Sequence, residues 1–330
     1  MIQWSIEWLQ LDLNYTWKIS RNASTFKRNA IITVKSQSST GIGEVAPNIR
    51  YQETPENIQE EFEQFILSGA NQVGDLSELT LLLNQLNLHN ALRFGIESAY
   101  IHLMCHAEKK SFSEMMHIPK VHAVSTSFSF PMMEIHELAS FYQKHNLKRF
   151  SKLKVKVGKE QATQTIQEIC SFSQKPLIID ANEAFNDADE VLKFFETIQP
   201  YHIAFIEQPL PDGMIDDYTY LKTRSPYEII ADESICADAD FEQLKNQFHG
   251  INMKLMKAGG YLKGIELLDQ ARLKGMKTMI GCMIETTLGI ASALHVSQNV
   301  DYIDLDGFMV IKNEPYNLVL EENGYLSLNM

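Results

Sequence analysis

Five ionisable residues recur in the second half of the chain at the interval of one strand–helix unit. Lys156, Asp180, Glu207, Asp232 and Lys254 are separated by 24, 27, 25 and 22 residues. Each carboxylate closes a short apolar run: LIID, IAFIE and IIAD. Acidic residues favour helix N-termini, which would account for any one of them. Capping does not account for three in succession with a lysine on either side. Three carboxylates brought together at low dielectric repel one another unless a cation joins them. With no Cys or His in the set, the expected ion is hard, Mg2+ first and Mn2+ as the alternative. Such an ion would stabilise the charge that develops on a substrate carboxylate as its α-proton leaves. A lysine on each side can take that proton from one face and return it to the other. The chemistry implied is epimerisation.

Lys154 lies two residues before Lys156 in SKLKVKVG, so on a strand both ammonium groups leave the same face. Two ammonium groups on one buried face repel each other, and burial pushes the same way, so each is expected to deprotonate more easily. A lysine tuned like this can act as a base near neutral pH. Taken alone, a KxK pair reads better as a wet strand edge. Its spacing to the other strand ends reverses that reading.

Positioning these residues requires eight strands with helices between them. Beyond His122 short apolar runs alternate with amphipathic stretches such as Asp187–Ile198 and Leu262–Lys274. The expected strands are Val121–Phe130, Lys152–Val157, Pro176–Asp180, His202–Glu207, Glu228–Asp232, Gly250–Lys254, Met276–Gly281 and Tyr302–Asp304. Apolar strands alternating with helices predict a parallel sheet covered on both faces. Eight of them fit a (β/α)8-type TIM barrel with its last helix missing or replaced, whose strand ends open onto one rim. No GxGxxG turn supports a doubly wound open sheet. The N-terminal part reads differently, with strands at Ile2–Leu13, Arg28–Lys35 and from Gly41, then helices opened by Thr54-Pro55 and running over Ala91–Ala107. This describes an α+β unit over residues 1–118, to which the C-terminal tail 315–330 is expected to return, beside a barrel domain of 119–314.

Composition narrows the function classes. The 330 residues carry a formal net charge of −13, which disfavours nucleic-acid binding. No signal peptide or membrane-spanning run is read, and the four separated cysteines suit reduced thiols in the cytoplasm. His102 and His106 are spaced like metal ligands with Cys105 beside them, but no further ligand is evident, so packing is expected. Met253, Met256, Met276, Met279 and Met283 are expected to fill the barrel core.

LKVKVG, DANEAF, EQPLP, ADES, NMKLMKAGG, GCMIET and DLDG together resemble the enolase superfamily, in its muconate-lactonizing subgroup and there the dipeptide epimerases. A lysine base working beside Mg2+ is a known enolase-type pattern. The resemblance spans essentially the whole chain and implies a fold: an α+β N-terminal capping domain, completed by the C-terminal tail, over a (β/α)7β TIM-type barrel. It implies Asp180, Glu207 and Asp232 as ligands of one Mg2+, Lys156 and Lys254 as the acid/base pair, and Lys154 as the residue that tunes Lys156. Asn182, Gln208, Glu233, Asn252 and Lys257 would support them. The seventh strand ends Met279-Ile-Gly-Cys-Met without histidine, unlike the mandelate racemase subgroup. Asp304 and Asp306 resemble the anchor for a dipeptide's α-ammonium, which needs an acidic partner.

The resemblance also implies two capping loops that set specificity, matched here by Trp17–Arg28 and Pro47–Glu53. Arg21 could pair bidentately with a second substrate carboxylate, and Arg50 could add a contact. Lys18, Lys27 and Arg28 lie near the same loop, so charge alone does not settle whether the substrate is acidic. Ser127, Ser129, Cys282, Met283 and Ile284 are further candidates for substrate contact. By that resemblance, the expected reaction is inversion of the C-terminal α-carbon of an Ala-containing dipeptide, L-Ala-D/L-Glu first, in a homo-oligomer. The alternatives are an o-succinylbenzoate synthase or muconate cycloisomerase type of reaction, needing no ammonium anchor, and a barrel that binds a small acid without catalysis.

Overall fold

The computed structural model describes residues 2–329. Alternating burial makes the first three strands an antiparallel sheet: β1 (Gln3–Lys18), β2 (Ala23–Lys35) and β3 (Thr40–Val45). The β1–β2 hairpin is longer than expected. Most of Trp17–Arg28 is therefore strand, and only Ile19–Asn22 forms the tip, closed by Ile19 N–H donating to Asn22 O at 2.9 Å. The helix Asn90–Glu108 packs on β3, where Gly41 and Gly43 allow the close approach; a Cβ on Gly43 would stand 2.2 Å from Gly95 O. His102 and His106 serve this packing, their Nδ1 atoms lying 2.6 Å from Ile42 O and Thr40 O.

The barrel follows. After β4 (Val124–Ser125) come eight parallel strands: β5 (Phe128–Phe130), β6 (Leu153–Lys156), β7 (Leu177–Asp180), β8 (Ile203–Glu207), β9 (Ile229–Ala231), β10 (Gly250–Met253), β11 (Lys277–Gly281) and β12 (Tyr302–Asp304). They pair in sequence order, and Ser127 N–H donating to Ile303 O at 3.1 Å brings the last beside the first. The barrel is nearly closed. Val121–Phe130 is not one strand, because Val124–Ser125 turns away to pair with the tail strand β14 (Tyr325–Leu328), itself paired with β13 (Val319–Glu322). The tail strands thus join the barrel side rather than the N-terminal sheet. Contact with that sheet is made earlier, where Asn14 N–H donates to Val310 O and Lys312 N–H to Asp12 O, both at 2.8 Å.

Strand alternation layers the barrel interior. Ile178, Phe205, Ile230 and Met279 form an apolar plug. Asp180 and Glu207 lie two residues further along their strands, and Asp232 two residues past Ile230 just beyond the end of β9, one layer nearer the rim. Two carboxylates of the N-terminal unit pin it over that rim. Glu97 accepts from Tyr261 N–H at 2.5 Å and Leu262 N–H at 3.2 Å, capping the helix Tyr261–Leu273. Glu44 accepts from Thr286 N–H and Oγ1 and from Gly289 N–H, capping Thr287–His295. Among the described residues no helix is long and apolar enough to cross a membrane.

Candidate active site

Between the barrel rim and the two capping loops lies a cavity of about 280 Å3. Its floor and walls include Lys154, Lys156, Asp232, Lys254, Asp304 and Asp306, while Asp180 and Glu207 lie buried just beneath. β6 and β10 are four strands apart in the eight-stranded order, so Lys156 and Lys254 face each other across the rim.

Each lysine stands on a different carboxylate. Lys156 Nζ donates to Asp180 Oδ2 at 2.8 Å and Asn182 Oδ1 at 3.2 Å, with the Trp17 ring 5.9 Å away. Lys254 Nζ donates to Asp232 Oδ2 at 2.8 Å. Burial alone would lower the Lys254 ammonium, but Asp232 and Glu207 outweigh it and hold its pKa above the ordinary lysine value. Lys154, 2% exposed, lies 3.0 Å from Asp180 Oδ2, 2.9 Å from Glu207 Oε2 and 2.9 Å from Asp304 Oδ2. Burial would again lower its pKa, yet these carboxylates raise it well above the ordinary value. The expected easing of deprotonation by two neighbouring ammonium groups is therefore not found for Lys154. Attraction to three carboxylates from other strands exceeds the repulsion between two lysines of one strand.

The carboxylates still outnumber their partners. Asp180, Glu207, Asp232, Asp304 and Asp306 are all buried, against Lys154, Lys156, Lys254 and Lys257, the last donating to Asp232 Oδ1 at 2.5 Å. Lysines outweigh burial at Asp180 and Asp232 and hold both below the usual carboxylate range. The surplus falls on Glu207, which burial pushes up to about 8, and on Asp306, which burial and Asp304 push up to about 7. Glu207 Oε2 faces Lys154 without hydrogen-bond geometry and has no hydrogen-bond partner. Among the described residues no three His, Cys, Asp or Glu side chains converge tightly enough to enclose an ion as they stand, since ammonium groups sit against the same oxygens. The donors nonetheless fit a hard cation: they are all oxygen, they lie on consecutive strand ends, they include a buried carboxylate oxygen without a hydrogen bond, and they are short of positive charge.

The supporting residues act on backbone and ligands. Gln208, at φ 37°, accepts from Asp232 N–H at 2.8 Å and Ser234 N–H at 3.1 Å, which sets the loop that carries Asp232. Asn252 Nδ2 donates to Glu207 Oε1 at 3.0 Å. At the far side Ser127 Oγ donates to Asp304 Oδ1 and Ser129 N–H to Asp306 Oδ2, both at 2.6 Å. Ser129 lines the cavity but holds Asp306 through its backbone. Cys282 Sγ lies 3.4 Å from Asp304 O, Met283 is half-buried on the cavity wall rather than in the core, and Ile284 O accepts from Asn29 Nδ2 at 3.0 Å.

The two arginines expected to meet substrate are engaged with the protein. Arg21 is ion-paired with Glu183 and, at 2.6 Å, with Glu233 Oε1. Arg50 forms a fork onto Glu183 at 3.2 and 3.1 Å and reaches Asp212 at 2.8 Å. Glu183 had no assigned role in the sequence reading, although DANEAF contains it. Its backbone, at φ 65° directly after Asn182 at φ 43°, turns the carboxylate out toward both loops.

Residues 134–313 match the family described as Enolase C-terminal domain-like. An L-Ala-D/L-amino acid epimerase of Pedosphaera parvula is 32% identical over 333 aligned residues, which cover 96% of this chain and 93% of the relative. The chain belongs to the dipeptide epimerases of the enolase superfamily. An L-Ala-D/L-Glu epimerase of Bacteroides thetaiotaomicron is 27% identical over 97% of this chain and 84% of its own length. A dipeptide epimerase of Enterococcus faecalis, solved with Mg and the dipeptide L-Leu-L-Tyr, matches the fold with a TM-score of 0.89 at 24% identity, over 99% of this chain and 96% of that one. As a dipeptide epimerase the chain is an isomerase, and the facing lysines and the Asp304–Asp306 pair can be weighed as parts of such a site.

Proposed function

We propose that this epimerase inverts the C-terminal α-carbon of an Ala-containing dipeptide, L-Ala-D/L-Glu first, by a two-lysine proton transfer. The observation that carries the mechanism is the placement of Lys156 and Lys254 at the rim ends of strands four apart, each beside its own carboxylate. One lysine, as the free amine, takes the α-proton from its face; the other, as ammonium, returns a proton to the opposite face. Asp180, Glu207 and Asp232 would hold one Mg2+, which supplies electrophilic stabilisation of the charge on the substrate carboxylate. Asp304 and Asp306, fixed by Ser127 and Ser129, would receive the dipeptide's ammonium. The four cysteines are free thiols, buried at Cys105 and half-buried elsewhere, which supports a cytoplasmic location.

The test is α-proton exchange from D2O across a dipeptide library, read by NMR. Incorporation with inversion is expected for Ala-Xaa dipeptides, and absence of exchange with all of them would overturn the reading. Calorimetry on chelator-treated protein should show one Mg2+ per chain, with binding lost in Asp180→Asn. Unchanged binding in that variant would remove Asp180 from the ligand set.

A further inference from the structure

Lys27 lines the cavity from β2. It lies two residues before Asn29 and on the same face, and Asn29 reaches across to Ile284 O. Its position opposite Leu11 places its stem beside the apolar group of Leu11, Leu13, Ile284 and Val310. The other cationic side chains lining the cavity, Arg21, Arg50, Lys154, Lys156 and Lys254, all stand on protein carboxylates. Among the described residues Lys27 makes no ion pair or side-chain hydrogen bond. Burial lowers its pKa, and no neighbouring carboxylate raises it. A half-buried ammonium without a counter-ion is costly, and a ligand anion at the same place would remove that cost.

The rest of a dipeptide already has partners under the proposed function. Its α-carboxylate belongs with the carboxylate–lysine floor, and its ammonium with Asp304 and Asp306. The group still lacking one is an acidic side chain on the C-terminal residue. We propose that Lys27 pairs with that side-chain carboxylate and sets the preference of the site for an acidic C-terminal residue. This rests on the dipeptide reading above. It also moves the specificity contact from Arg21, which is held by Glu183 and Glu233, to a residue on the strand behind it.

The full-length, Mg2+-loaded enzyme is assayed with L-Ala-L-Glu and the near-isosteric L-Ala-L-Gln. The wild-type kcat/KM ratio is expected to favour Glu by about 10- to 100-fold, the range of a charge-assisted hydrogen bond. Lys27→Met should collapse the ratio toward unity, mainly through KM for L-Ala-L-Glu; Lys27→Arg should keep it, and Lys27→Glu should favour L-Ala-L-Lys. An unchanged ratio in Lys27→Met, or a wild-type enzyme indifferent to Glu and Gln, overturns the proposal. A collapse in Arg21→Met with none in Lys27→Met does the same. Turnover with an unchanged ratio removes Lys27 alone, whereas no turnover of any dipeptide overturns the dipeptide reading together with it.

Discussion

Lys154 Nζ stands 2.9 Å from Asp304 Oδ2, joining the second barrel strand to the last beneath the cavity. The same ammonium is shared by Asp180 and Glu207, and all four groups are buried. Its charge offsets repulsion among carboxylates from three strands. That makes it a counter-ion first and an influence on Lys156 second.

Lys154→Met should therefore cost stability as well as rate. Removing one partner of a buried ionic cluster typically costs about 3–5 kcal/mol. The expected outcome is a lower urea midpoint with an unchanged slope, and partial recovery at acid pH as the stranded carboxylates protonate. A variant with native stability and only a displaced pH–rate profile would show Lys154 to be a tuning residue alone.

Lys156 and Lys254 should separate under mutation. Each alanine variant should lose epimerising turnover by at least about 100-fold, the lower end of what a positioned acid or base contributes. Because each lysine serves one face, Lys254→Ala should still exchange the α-proton of one diastereomer through Lys156. Lys156→Ala should exchange only the other. Single-turnover NMR in D2O on both diastereomers reads this directly, and equal exchange of both in either variant would rule out two opposed bases.

Burial of Glu97 gives a pH dependence from a group that does not line the cavity. Burial raises its carboxyl to about 7, against the lowering effect of the Leu262 and Tyr261 N–H donors and of Arg93. A carboxyl with a raised folded-state pKa binds its proton more tightly when folded. Its contribution is thus fully present below the unfolded value near 4.5 and is lost as pH rises to about 7. The loss is on the order of 3 kcal/mol. The difference between wild type and Glu97→Gln, from denaturation at pH 5 to 8, should carry this slope and flatten above pH 7. Parallel curves for the two proteins would show that Glu97 does not titrate in this window.

Much of the barrel can be read from the sequence, since a parallel strand buried on both faces is a short apolar run and its rim end is the first charge after it. LIID, IAFIE and IIAD each show this, and β7 and β8 end at Asp180 and Glu207. The division of Val121–Phe130 cannot be read that way. In VHAVSTSFSF the polar run Ser125-Thr126-Ser127 breaks the apolar pattern, which is equally compatible with one strand, and what divides the segment is pairing with Leu326 and Tyr325, about 200 residues on. The expectation for Lys154 fails for a related reason. Two ammonium groups on one strand are visible locally, but the three carboxylates that surround Lys154 come from β7, β8 and β12. Glu183 escaped notice because its role lies in two distant loops, with only the positive-φ turn at Asn182–Glu183 to mark it.

Glu183 holds the hairpin tip through Arg21 and the Ile49–Tyr51 turn through Arg50, and it also accepts from Asp212 N–H at 2.9 Å. Both arginines are about one-third exposed, so each pair contributes little to global stability, about 1 kcal/mol or less. What the pairs do hold is the position of two loops over the cavity, including Trp17 above Lys156. Glu183→Ala should leave the melting temperature within a few degrees while raising KM for the dipeptide about tenfold, with kcat less affected, because loop ordering must then be driven by substrate binding. Hydrogen exchange should be faster at Ile19–Asn22 and Ile49–Tyr51 and unchanged in β6 to β10. If KM and exchange in both loops match wild type, the ion pairs do not hold the loops; if exchange rises across the barrel, Glu183 supports the fold rather than the loops.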